Sequence, residues 1–220
     1  MFKRLVLLPL LSLPLQASPA IASPALLALQ RMDQRVATIG HRLARANLDL
    51  CGARTMPLSG MVVHTIEQYG GDAREDAPAS FGLGDNPAVL VVVPGSAPAG
   101  AGLQPDDAIL SIEGRRFAHV KGGRKGNYER VRQIEDHLLA SLRAGPVFVE
   151  YVRGGETRAA VIQPEPGCLS RVQIVPSAKL NASADGTYVQ LTSRVVDYTR
   201  SDEELALGVG HEMAHNNLGH

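Results

Sequence analysis

His211-Glu212-Met213-Ala214-His215 sets two imidazoles four residues apart. On a helix that spacing stacks them one turn above each other on one face. Both rings can then reach one tetrahedral Zn²⁺, at about 2.0–2.1 Å. Glu212 directly follows the first ring, where a carboxylate can take a proton from an attacking water and hand it to a leaving amine. The chemistry expected is peptide-bond hydrolysis, with zinc as cofactor, His211 and His215 as metal ligands and Glu212 as general base.

These side chains need a helix to hold them. Ser201-Asp202-Glu203-Glu204 reads as its start. The Ser201 hydroxyl accepts from the backbone N–H three residues on, and Glu204 reaches back in a capping box. Leu205, Val209 and Met213 supply one apolar side. A catalytic zinc site ordinarily has three protein ligands. His220 lies nine positions from His211, about 180° around a regular helix, so it could share the metal only if the helix broke at Gly219. His41, His64, His119 and His137 have no spacing in their favour. Two expectations follow: an incomplete copy of a longer protein, or a chain that has lost its catalysis. With no visible partner for its last turn, the helix is also expected to fray.

Upstream, Lys3 and Arg4 precede an apolar run, Leu5 to Leu15, and Ala20-Ile21-Ala22 fits a signal-peptidase site. Residues 1–22 are therefore expected to be a signal peptide, with no membrane span after cleavage and an exported, periplasmic or secreted location. In an oxidising compartment Cys51 and Cys168 are expected to form a disulfide. Lys plus Arg and Asp plus Glu balance at 22 each, so no net field favours nucleic acid, which is not expected as a partner. Leu29, Met32, Val36, Ile39, Leu43 and Ala46 recur at helical spacing and predict a packing helix within 23–56.

The period then changes. Met61 to Val63, Val89 to Val93, Ala108 to Ile112, Val147 to Val152 and Arg158 to Ile162 read as strands. A helix is expected from Tyr128 to Leu142. The Gly-Ser-Ala-Pro-Ala-Gly-Ala-Gly-Leu stretch at 95–103, with Asp107-Ala108-Ile109-Leu110-Ser111-Ile112-Glu113-Gly114, resembles the PDZ domains attached to bacterial exported proteases. The resemblance implies peptide recognition by strand addition. It also implies that Phe81-Gly82-Leu83-Gly84 is a carboxylate-binding loop. Asp106 stands where that family has Gly, and tolerates the left-handed conformation. Asp85 would repel a terminal carboxylate. Lys121 to Gly126 lacks the spacing of a phosphate loop and reads as a solvated basic loop.

Asn181 to Val189, followed by His211 to His215, resembles the metallopeptidases related to the CAAX prenyl protease and the bacterial heat-shock membrane protease. That resemblance implies an edge strand at Tyr188 to Leu191 lying near the substrate, and a Glu ligand on a later helix.

The expected fold class is α+β: an N-terminal helix, a PDZ-like β-sandwich or barrel with a helix at 57–166, and the start of a zincin-type catalytic domain at 167–220 ending in the His211–His215 helix. The expected function is zinc-dependent endopeptidase, acting on exported or envelope polypeptides. The alternative is a non-catalytic PDZ-like peptide-binding protein with a remnant protease segment.

Overall fold

A computed structural model describes residues 21–122 and 124–219. The expected signal peptide, except Ile21 and Ala22, and His220 lie outside the described residues.

The apolar stripe near the N-terminus forms α1, Pro24–Ala46, with proline in its first turn. Proline is tolerated there because the first N–H groups have no helical acceptor. The buried face runs through Leu26, Val36, Ile39, Gly40 and Ala44. Ala46 is exposed, because the helix ends there and Asn47 caps it.

A short strand β1 (Thr55–Pro57) leads into β2 (Met61–His64), α2 (Asp72–Phe81), β3 (Ala88–Val92), α3 (Ala97–Gly100), β4 (Ala108–Ile112), α4 (Glu129–Ala144), β5 (Val147–Arg153) and β6 (Glu156–Ile162). β2 to β6 form one five-stranded antiparallel sheet in sequence order. α4 lays Val131, Ile134, Leu138 and Leu142 into its core, with Val147, Val149 and Ile162 from the strands. Asp106 takes a φ of +69°, the left-handed conformation expected of it.

A buried ion pair holds the loops of this unit. Arg130 donates from Nη1 to Glu67 Oε1 at 3.1 Å and to the Asp85 carbonyl at 2.9 Å. Its Nε and Nη2 donate to the Phe117 carbonyl. Burial alone would raise the Glu67 carboxyl, but bonds from His119, its own backbone and Thr65, with the Arg130 charge, hold it below the usual carboxylate range.

The chain leaves the sheet through β7 (Pro166–Cys168), which pairs antiparallel with β1, Thr55 opposite Cys168. Cys51 and Cys168 form the expected disulfide, with Cα atoms 5.5 Å apart. The incoming and outgoing strands of the five-stranded unit are thus paired and covalently tied at one place.

After it come β8 (Arg171–Val175), β9 (Ala182–Ala184), β10 (Tyr188–Thr192), α5 (Ser193–Tyr198) and α6 (Asp202–Leu218). The second core is built from both ends of the chain. Val36 and Ile39 of α1 meet Val189 and Leu191 of β10, Val196 of α5, and Leu205, Val209 and Met213 of α6. Gly40 lets α1 approach β8 so closely that an added Cβ would come within 2.7 Å of Val172 Cγ2. The architecture is mixed α+β, as expected. No described helix is long and apolar enough to cross a membrane.

Candidate functional site

α6 starts as its sequence predicts and then departs from it in one detail. Ser201 Oγ accepts from the Glu204 N–H at 3.3 Å. Glu204 Oε2, however, accepts from the N–H of Arg200 at 2.7 Å rather than from that of Ser201. A second clamp comes from α1, where Arg35 donates to the Asp202 carboxylate and the Ser201 carbonyl. The far end closes at Gly219, whose φ of +75° suits glycine and whose N–H reaches the His215 carbonyl at 3.0 Å.

His211 and His215 lie together on the outer face, as their spacing requires. Their Nε2 atoms are 3.2 Å apart and their rings are nearly perpendicular, at 79°. Two nitrogens bound to one tetrahedral zinc at the usual bond length stand about 3.3 Å apart. The pair therefore fits a shared metal; between neutral rings the same separation also serves one N–H···N hydrogen bond. Glu212 sits beside them, half-buried. Among the described residues no group of three His, Cys, Asp or Glu side chains is placed to hold a metal.

The opposite face of α6 is anchored along its whole length, which corrects the expectation of a last turn without a partner. Leu205 and Val209 are fully buried, and so is Asn216. Asn216, beyond any sequence expectation, ties the helix to the sheet. Its Oδ1 accepts from the Gly186 N–H at 2.7 Å, and its Nδ2 donates to Ser170 Oγ at 3.2 Å and to the Tyr188 carbonyl at 3.3 Å. The available signal was position: Asn216 continues the Leu205, Val209, Met213 face at helical spacing, so its amide had to be buried and satisfied.

The strand expectation for Tyr188 to Leu191 is also corrected. β10 is the centre of its sheet, with β8 parallel on one side and β9 antiparallel on the other. Backbone groups paired on both sides leave no edge for a substrate strand. The free edges are those of β8 and β9, and β9 is the one that packs with β10 against α6. The turn from β9 to β10 is fixed by Asn216 and by Arg54, whose Nη2 donates to the Gly186 carbonyl at 3.2 Å. Tyr188 is held from the other side, its hydroxyl accepting from Arg171 Nη1 at 2.8 Å.

Phe81-Gly82-Leu83-Gly84 lies in the five-stranded unit. Phe81 ends α2 and Gly82, at φ +60°, caps it. Phe81 and Leu83 are buried, the former against the His64 ring at 5.2 Å. Only Gly82 and Gly84 of the four face solvent. Two of the expected peptide-binding side chains thus serve as core anchors.

The family model of peptidase family M48 matches residues 156–220, from β6 through α6. That match supports a metalloprotease in general. No curated protein matches the chain. Among solved structures, the HtrA3 PDZ domain bound to a phage-derived ligand is similar at 20% identity and a TM-score of 0.38, covering 51% of this chain and 88% of that one. The HtrA-type protease AlgW with a decapeptide is similar at 18% identity and a TM-score of 0.36, covering 51% of this chain and 30% of that one.

Proposed function

We propose that the chain is a zinc-dependent endopeptidase acting on polypeptides outside the cytoplasm, with α6 as its metal-binding helix. The observation that carries the reading is the His211–His215 pair, 3.2 Å apart at Nε2 on a capped helix with Glu212 beside it. The M48 match over residues 156–220 supports the same class. The Cys51–Cys168 disulfide supports an oxidising compartment.

In this reading His211 and His215 hold zinc, and a third protein donor completes the set. Zinc, when bound, supplies Lewis acidity that brings water's pKa near neutrality and polarises a carbonyl. Glu212 takes the proton of the attacking water and returns it to the leaving amine. The free edge of β9 aligns an extended substrate by backbone pairing. Asn216 and Arg54 position that strand against α6 through the 185–187 turn. The five-stranded unit, residues 57–166 by proposal, is a PDZ-like peptide-binding insertion ahead of the catalytic segment at 167–220.

Zinc content of the purified chain, measured beside casein cleavage, tests the reading. Bound zinc in both the chain and Glu212→Gln, with cleavage lost only in the variant, is the expected result. Failure to retain zinc or cleave casein would favour the second reading, a non-catalytic peptide-binding protein. The observation on its side is the lack of a third ligand among the described residues.

A further inference from the structure

Residues 115–125 carry Arg115, Arg116, Lys121, Arg124 and Lys125 and no acid. The even charge balance of the whole chain thus conceals a local excess of five cations. All five are exposed. Among the described residues none of them forms an ion pair with a carboxylate. The acids on either side are engaged elsewhere. Glu113 accepts from the Phe148 N–H, and Glu129 from Arg132 and Gln133. Glu67, at the base of the loop, is taken by Arg130 and His119.

A run of like charges repels itself and ordinarily leaves the backbone loose. Here the backbone is pinned. Arg115 exchanges both backbone hydrogen bonds with Ile112, at 2.9 and 3.0 Å. The Phe117 carbonyl accepts from two nitrogens of the buried Arg130. Asn127 donates from Nδ2 to the Lys121 carbonyl at 3.0 Å, and from its backbone N–H to the Glu67 carbonyl at 2.7 Å. Gly70 lies so close that an added Cβ would come within 2.4 Å of the Arg124 carbonyl oxygen. The fold therefore fixes this backbone while leaving its cationic heads in water without an anion.

We propose that the loop is a docking surface for the anionic headgroups of a lipid bilayer, holding the chain against a membrane face without spanning it. Clusters of this size attract anionic bilayers, and the attraction grows with each cation. Long cationic side chains reach the phosphates while their methylenes lie among the headgroups. Tyr128, exposed where the loop enters α4, adds an aromatic ring of the kind that settles at the interface. The pinned backbone lowers the ordering cost of docking. A nucleic-acid surface would instead interleave its cations with outward rings for stacking, whereas Phe117 is buried beneath Arg115. The inference rests on neither zinc nor cleavage, so it stands or falls apart from the function proposed above.

Flotation with equimolar phosphatidylglycerol and phosphatidylcholine vesicles, beside vesicles of phosphatidylcholine alone, tests it on the full chain. The chain should float with the anionic vesicles at low salt and be released as salt is raised. Lys121→Gln, Arg124→Gln and Lys125→Gln together should weaken partitioning on the order of 100-fold, about fivefold per charge. Removing three exposed cations elsewhere, by Arg31→Gln, Arg42→Gln and Arg143→Gln, should change it by less than about fivefold. Circular dichroism should show both variants folded. Trp is absent from the chain, so Tyr128→Trp supplies a single indole, whose emission should shift to the blue on anionic vesicles only. Equal flotation on both lipids, as the apolar run Leu5 to Leu15 alone would give, overturns the proposal. So does an equal loss in the two triple variants, or an indole emission that does not move. Loop-dependent binding to a single-stranded oligonucleotide, tighter than to the vesicles, overturns it as well.

Discussion

The five-stranded unit and the unit that carries His211 draw their cores from different distances along the chain. The main core of the first is local, every residue lying between Met61 and Ile162, and α1 reaches only its smaller cluster, where Leu26 meets Phe81, Leu83 and Leu90. The second joins Val36, Ile39 and Ala44 near one end to residues from Cys168 to Met213 near the other. The smaller part, three short strands with α5 and α6, is thus the one with the longer-range closure. The lesson is that α1 belongs physically to the site, since Arg35, Val36 and Ile39 support the helix that bears the histidines.

Deleting residues 24–46 gives the largest break in this contrast. It should abolish zinc retention and hydrogen-exchange protection across Leu205 to Asn216, while the amides of β4 and β5 stay protected. Equal loss in both units would mean that the five-stranded core also depends on α1. Next in size is the disulfide, which closes a sequence separation of 117 residues. Replacing both cysteines by Ser should lower stability by about 5 kcal/mol in the chain-entropy account, read as a shift in the urea midpoint. Asn216→Ala follows. It strands the Gly186 N–H and removes two donors, and should cost about 1–3 kcal/mol. Protection should fall at Gly186 and Tyr188, and not in β2 to β6.

The smallest effect is a change of sign with pH. His64 is fully buried, and burial pushes it down to about 3. Below its ordinary pKa the unfolded chain therefore gains a proton that the fold does not, and stability falls as pH falls, by about 1.4 kcal/mol per unit at most. Asp33 and Glu135, raised to about 7, act oppositely. The fold holds their protons between pH 7 and the normal carboxylate range, so their contribution is full at low pH and is lost as pH rises through 7. In Asp33→Asn with Glu135→Gln only His64 remains of the three. Melting temperature between pH 6.5 and 5.5 should then drop in the double variant relative to the unchanged chain. A parallel pH profile in the two proteins would remove the carboxyls from the account.

Much of the five-stranded unit was legible because its strands are β-branched runs between turn residues, and because α4 repeats apolar residues at helical spacing. The capped start of α6 and the stacking of His211 on His215 were legible for the same local reason. α2 was not: only Ala77 and Phe81 are buried, and Pro78 stands inside it, so neither an apolar stripe nor propensity announces a helix. Tyr188 to Thr192 was recognisable as a strand, but its place at the centre of the sheet depends on partners seventeen residues before it and a few residues before it. Pairing of that kind leaves no periodic trace in the strand itself. Asn216 shows a further limit. A polar residue on an apolar face signals burial, and which three groups it satisfies is decided only when the 185–187 turn and Ser170 come beside it.

The junction where β1 pairs with β7 and Cys51 joins Cys168 also sets how the molecule bears load. A pull on the two ends of the chain passes from α1 across the disulfide into β8 and leaves the five-stranded unit slack. Roughly 400 Å of contour, the extended length of the 117 residues between the cysteines, stays hidden from an applied force until the bond is reduced.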